Sequence, residues 1–113
     1  MLKEEYNKYL GSFNGYVQSI RSDSPEGVSL TMVDLDGIKL RVGQIITDLD
    51  SEYNLLILQR PEGMTDKMAD AFAKGRLEEK HGISKGHFEK LYKDLHSLVQ
   101  TLKKRLAVLE RDF

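Results

Sequence analysis

The change in apolar spacing at residues 60–63 constrains this chain more than any other feature of its sequence. Before that point apolar residues tend to alternate, as in Ile38, Leu40 and Val42. After it they recur every three or four residues. A period near two is typical of a half-buried strand, and a period near 3.6 is typical of a helix with one buried face. The sequence therefore predicts an α+β fold, with a sheet followed by a helical hairpin in a single domain over residues 1–113.

The first part of the chain, residues 1–60, is predicted to contain one short helix and a four-stranded, mainly antiparallel sheet. Gly11 is expected to end the helix as a left-handed C-terminal residue. The helix has apolar side chains on one face: Leu2, Tyr6, Tyr9 and Leu10. The strands are expected at residues 16–21, at residues 28–34, from residue 38 and at residues 53–60.

The hairpin between the second and third strands is predicted to turn at Leu35, Asp36 and Gly37. A two-residue turn at Asp36 and Gly37 is the alternative, but it divides the apolar side chains between the two faces of the sheet. A three-residue loop with Gly37 left-handed pairs Met32 with Leu40 and gives one cleaner apolar face. Because a slip of one residue exchanges the faces, the three-residue loop is the predicted register.

The second part, residues 64–113, is predicted to form a two-helix hairpin. Thr65 is expected to cap the first helix, and Gly82 to end it in the left-handed conformation. The last helix is expected to run from residue 85 to near residue 113, behind a Ser84 cap. Its apolar stripe has a mean step of about 3.57 residues and comprises Phe88, Leu91, Leu95, Leu98, Leu102, Leu106, Leu109 and Phe113.

The last helix is predicted to extend beyond the sheet, because its length of roughly 40 Å exceeds what a compact domain of this size can cover. An overhanging helix with a wide apolar face needs a partner, and a second copy of the chain is the simplest one. We therefore expect a homo-oligomer, dimeric or larger. The interface is predicted to comprise Leu95, Leu98, Val99, Leu102, Leu106, Leu109 and Phe113.

No residue pattern in the chain indicates catalysis or metal binding. Cysteine is absent, and neither a GxSxG motif nor a glycine-rich phosphate loop occurs. His81, His87 and His96 have no spacing that would bring two of them to one face of a helix. The sequence predicts no enzyme, no cofactor and no metal. The main functional prediction is a small regulatory or adaptor protein that acts by binding another protein.

Charge is distributed unevenly and supports two alternative functions. Residues 1–63 have 6 Lys/Arg and 10 Asp/Glu, and residues 64–113 have 11 and 8, which gives net charges of −4 and +3. The first alternative is an oligomer that sequesters a phosphate-bearing small molecule, and the second is a nucleic-acid-binding protein. The candidate anion-binding residues are Arg105 or Arg111 of one copy with Arg21, Arg41 or Arg60 of another. A sheet followed by a helical hairpin resembles the layout of phage-encoded sponges for cyclic nucleotide signals, which implies such a ligand.

The sequence also predicts a cytoplasmic location. The first residues are acidic and polar, where a signal peptide would be basic and then apolar. The longest apolar run covers residues 55–58, far below the roughly 18 residues that a membrane span needs. The absence of cysteine is compatible with a reducing compartment.

Overall fold

The computed structural model describes residues 1–19 and 24–111, and these residues form four α-helices with no strand among them. The helices are α1 (Leu2–Ser19), α2 (Pro25–Leu58), α3 (Asp66–His81) and α4 (Lys85–Arg111). They build an elongated molecule with extents of 67 × 23 × 16 Å. The predicted α+β class and its four-stranded sheet are therefore wrong.

Helix α2 begins with strong local signals. Ser24 is the N-cap, with an extended backbone, and its side chain accepts a hydrogen bond from the backbone N–H of Gly27. Pro25 follows at the first helical position, where its missing N–H costs nothing. The predicted strands at residues 16–21 and 28–34 place a turn at residues 22–27, although Ser followed by Pro is equally the start of a helix.

One face of α2 supplies half of the hydrophobic core and is called the core seam below. Its members repeat mainly at intervals of seven residues, which is two helical turns. They are almost completely buried: Val28, Leu35, Val42, Ile45 and Leu49.

Apolar residues on two faces of α2 explain why the chain looks like a strand here. Val42 is 0% exposed, whereas Leu40 is 68% exposed. Positions two residues apart lie about 200° from each other on a helix. The alternation of Ile38, Leu40 and Val42 therefore arises from two apolar faces of one helix, and not from one face of a strand. The predicted turn at Asp36 and Gly37 lies in the middle of this helix.

The other predicted strands are also helical. Residues 16–19 belong to α1, and the rest of the first strand lies outside the described residues. The predicted fourth strand is the last part of α2 as far as Leu58. Gly11 does not end α1, because the helix continues to Ser19 and Gly11 does not have the positive φ that a left-handed C-terminal residue needs.

The two helices after the boundary lie where the sequence predicts them. Gly63 has φ +90° in the connecting segment, and the Thr65 side chain accepts a hydrogen bond from the backbone N–H of Met68. Gly82 ends α3 with φ +73°, as predicted, and its N–H donates to the carbonyl of Glu78.

Helices α2 and α4 form a long antiparallel pair. Lys39 Nζ lies 2.7 Å from His96 Nδ1, and Lys85 Nζ lies 2.5 Å from Asp50 Oδ1, so the register runs in opposite directions. The predicted overhang of α4 is wrong for a simple reason: α2 has 34 residues, α4 has 27, and α4 lies along α2.

The shorter helices α1 and α3 follow one another along this pair. Glu5 of α1 binds Arg41 of α2, and the Tyr53 hydroxyl of α2 donates to Asp70 of α3. The two helices meet at Gly82, where a Cβ atom in place of the glycine hydrogen would lie 3.3 Å from Met1 Cε. They leave the opposite side of α2 uncovered by any described helix.

Candidate interaction surface

The side of α2 that faces away from the core seam is here called the outer face. Most of its members follow a core-seam position by two residues, about 200° around the helix. Every member is exposed: Leu30, Val33, Gly37, Leu40, Gln44, Thr47, Ser51, Leu55 and Leu58.

The outer face contains no charged residue. Charged residues make up 31% of the chain, so about three of nine exposed positions would be charged at that rate, and surface helices normally exceed it. Its 28 residues are covered in eight steps, which average 3.5 residues. That is the heptad period of helices that pair in a left-handed coiled coil. The outer face thus has the pattern of a helix-pairing surface.

On the side of α2 that holds α1, charged groups are paired within the chain. Arg41 donates from Nε and Nη2 to the two carboxylate oxygens of Glu5, at 2.7 and 3.1 Å. These bonds, with a further one from the Tyr9 hydroxyl, lower the pKa of Glu5. Burial and the bond to Glu5 raise the pKa of Tyr9. The Tyr16 hydroxyl donates to Asp34 at 2.9 Å, and this bond raises the tyrosine pKa.

Charged groups also hold α3 and the start of α4 against α2. Glu52 accepts from His81 Nε2 at 3.0 Å and from Lys80 at 3.2 Å, and these contacts lower the pKa of Glu52. Asp50 raises the pKa of Lys85 by binding its ammonium group. Several charges of α2 therefore serve its contacts with the rest of the chain, and none lies on the outer face.

A shallow groove borders the outer face. It has a volume of about 420 Å³. Three outer-face residues line it together with two charged residues of α2, a glycine and a tyrosine of α4: Leu40, Gln44, Thr47, Asp36, Lys39, Gly43 and Tyr92. On the outer face itself, a Cβ atom added to Gly37 would meet nothing within 4 Å. Nothing in the single chain requires glycine at this mid-helix position, where it costs about 1 kcal/mol relative to alanine. The missing side chain leaves room for a second backbone to approach closely.

The residues predicted to form an oligomer interface mostly lie in the core of the single chain. Leu106 and Leu109 are half-buried near the end of α4, and Phe113 lies outside the described residues. The other four are buried: Leu95, Leu98, Val99 and Leu102. Helix α2 is the partner that covers them. An interface formed by this stripe stays a prediction, and most exposed apolar residues of the described chain lie elsewhere.

The predicted anion-binding arginines are not brought together within one chain. Arg41 binds Glu5, and Arg60 Nη1 lies 2.5 Å from Asp66 Oδ1. Arg105 and Arg111 lie near the other end of the α2–α4 pair from Arg60, and Arg21 is outside the described residues. A pocket shared between two copies stays a prediction, and the carboxylate partners of Arg41 and Arg60 would compete with any phosphate.

The three histidines have separate contacts. His81 faces Glu52, His87 Nδ1 lies 2.8 Å from Ser84 Oγ, and His96 faces Lys39. Among residues 1–19 and 24–111, no group of three His, Asp or Glu side chains could hold a metal ion.

Comparisons with protein-family models, with curated proteins and with solved structures found no match to this chain. Within the described ranges, no helix has both the length and the apolar character needed to cross a bilayer. The cytoplasmic location stays a prediction.

The outer face escaped prediction because the apparent alternation divides α2 into strands. A signal was present: Leu30, Gly37 and Gln44 are separated by seven residues each, and the face between residues 30 and 58 is uncharged. This heptad spacing continues across Asp36 and Gly37, which indicates a continuous helix and not a turn at these residues.

Proposed function

We propose that this chain is a non-enzymatic adaptor that works by pairing the outer face of α2 with a helix of another polypeptide. The observation that carries the proposal is a row of nine exposed, uncharged positions on α2 that are spaced three or four residues apart. Helix pairing is the recognition mode that uses apolar residues at intervals of three and four. A helix face that stays exposed to solvent would be expected to have charged side chains.

Site-specific photo-crosslinking in the source cells tests this proposal. A photoreactive amino acid at Gln44 is expected to capture polypeptides at helical segments with an apolar stripe. The same group at Ser97, an exposed position on α4, is the control and is expected to capture little.

A charge variant makes the test specific. Leu40→Glu places a carboxylate on the outer face, and it should weaken pairing about ten- to hundredfold because a buried leucine contributes roughly 1.5–3 kcal/mol. Val108→Glu is the matched control, because Val108 is an exposed apolar residue of α4. Equal capture at Gln44 and Ser97, or no effect of Leu40→Glu, would contradict the proposal.

A further inference from the structure

Three pairs of outer-face positions match when the face is read in either direction from Gln44, whereas Leu40 and Thr47 fall level with Asp48 and Arg41. Leu30 and Leu58 lie 14 residues before and after it. Val33 and Leu55 lie 11 residues on either side, so reversal again places one apolar residue against another. A face with this symmetry complements its own reversed copy.

Small and polar members follow the same symmetry. Gly37 and Ser51 lie seven residues before and after Gln44. Reversal thus sets a small residue against a small residue in the places where two backbones must approach. Gln44 then lies near the centre, where its amide can both donate to and accept from the amide of the second copy.

The charges beside the outer face also fit a reversed copy. Arg41 and Asp48 are seven residues apart and therefore lie on the same flank of α2. Arg41 lies three residues before Gln44 and Asp48 four residues after it, so reversal brings each close to the other across the pair. Arg41 already binds Glu5 of its own chain through Nε and Nη2, so Asp48 of the second copy would join an existing ion pair. In the described part of the chain Asp48 has no hydrogen bond or ion pair. In a parallel pair, Arg41 would lie near Asp36 of the second copy. Asp48 would then lie near Gly43 of the second copy and would have no oppositely charged partner.

We infer that the occupant of the outer face is a second copy of this chain, packed antiparallel with its centre near Gln44. The inference rests on the proposed function and names the partner of the same surface. The pair is isologous, so each contact occurs twice. The two core seams stay inside their own chains, and the two α3 helices lie towards opposite ends of the assembly.

Crosslinking of single-cysteine variants tests this arrangement, because the chain contains no cysteine of its own. Leu30→Cys and Leu58→Cys proteins of different tag length are mixed and treated with a short bismaleimide. The mixture is expected to give several-fold more crosslinked heterodimer than either protein gives homodimer. Ser97→Cys on α4 is the background control.

Efficient homodimer from Leu30→Cys alone would show a parallel pair and overturn the antiparallel arrangement. Crosslinking no greater than that of Ser97→Cys would overturn the second copy as occupant. In the latter case the photo-crosslinking at Gln44 separates the two conclusions: capture of a different polypeptide, lost in Leu40→Glu, leaves the proposed function standing. If both the cysteine crosslinking and the photo-crosslinking at Gln44 are absent, the second copy as occupant and the proposed function are both contradicted.

Discussion

Replacing Leu35 and Leu40 by alanine, one at a time, distinguishes the helical fold from the sheet that the sequence suggests. In the structure Leu35 is 0% exposed and Leu40 is 68% exposed. In the predicted sheet the order is reversed, because Leu35 lies in the turn and Leu40 pairs with Met32 on the buried face. The two folds therefore predict opposite orders of destabilisation.

The magnitudes follow from what each substitution removes. Leu35→Ala deletes three buried carbons at about 0.8 kcal/mol each and leaves a cavity, so the free energy of unfolding should fall by about 3 kcal/mol. Only about a third of the Leu40 side chain is covered in the single chain, so Leu40→Ala should cost less than about 1 kcal/mol. For a protein with a typical stability of roughly 5–15 kcal/mol, the first loss is large.

Urea unfolding followed by far-ultraviolet circular dichroism measures both values. Dilute protein is used, so that self-association does not add to the stability of the reference. The slope of the free energy against urea should be unchanged in both variants, which makes the midpoints directly comparable. An equal or larger loss for Leu40→Ala than for Leu35→Ala would refute the helical assignment of α2.

Three further substitutions test particular contacts. Gly37→Ala should raise the free energy of unfolding of the dilute single chain by about 0.5–1 kcal/mol, because alanine is the better helix former and has free space there. Sedimentation of the same variant should nevertheless show weaker self-association. Unchanged self-association would contradict a close approach of two backbones at this residue. Gly82→Ala should lower the free energy of unfolding by about 1–2 kcal/mol in thermal unfolding, because a φ of +73° is strained for alanine and the added Cβ would crowd Met1. Gly75→Ala lies in open space within α3 and should stabilise the protein. A change of the same sign for both variants would be inconsistent with the structure. The lowered pKa of Glu52 means that its contribution is fully present above its ordinary value of 4.5 and is lost as pH falls through the lower folded-state pKa. Melting temperatures of Glu52→Gln should therefore depend less on pH below 4.5 than those of the unchanged protein, and identical profiles would argue against the contacts with His81 and Lys80.

The helical hairpin was predictable because its signals are local. Thr65 and Gly82 have the chemistry of an N-cap and of a left-handed C-terminal residue, and the structure places both in those roles. Helix α4 has one buried apolar face, so its sequence shows the helical period without a second apolar face overlapping it. Local chemistry and spacing agree there, and the predicted bounds are close to those observed.

The α2 region could not be assigned in the same way because two different requirements overlap in it. The core seam and much of the outer face are apolar, and together they produce an apparent alternation. Asp36 and Gly37 have the composition of a turn, yet the helix passes through them because packing of Leu35 and Val42 against α4 outweighs a weak local preference. Helix α4, whose packing decides between the two periods, lies about fifty residues away in sequence. A pattern read from neighbouring residues alone therefore cannot identify the helix.

The solvent exposure of leucine and valine methyl groups, measured by relaxation from a soluble paramagnetic agent at low and high protein concentration, tests the fold and the pairing together. We predict that Leu35 and Val42 are protected at both concentrations. Leu30, Val33 and Leu40 should be strongly relaxed in dilute solution and become protected as the outer faces pair. Protection of Leu40 together with exposure of Leu35 would contradict the fold. Outer-face methyls that stay exposed at high concentration would contradict pairing with a second copy.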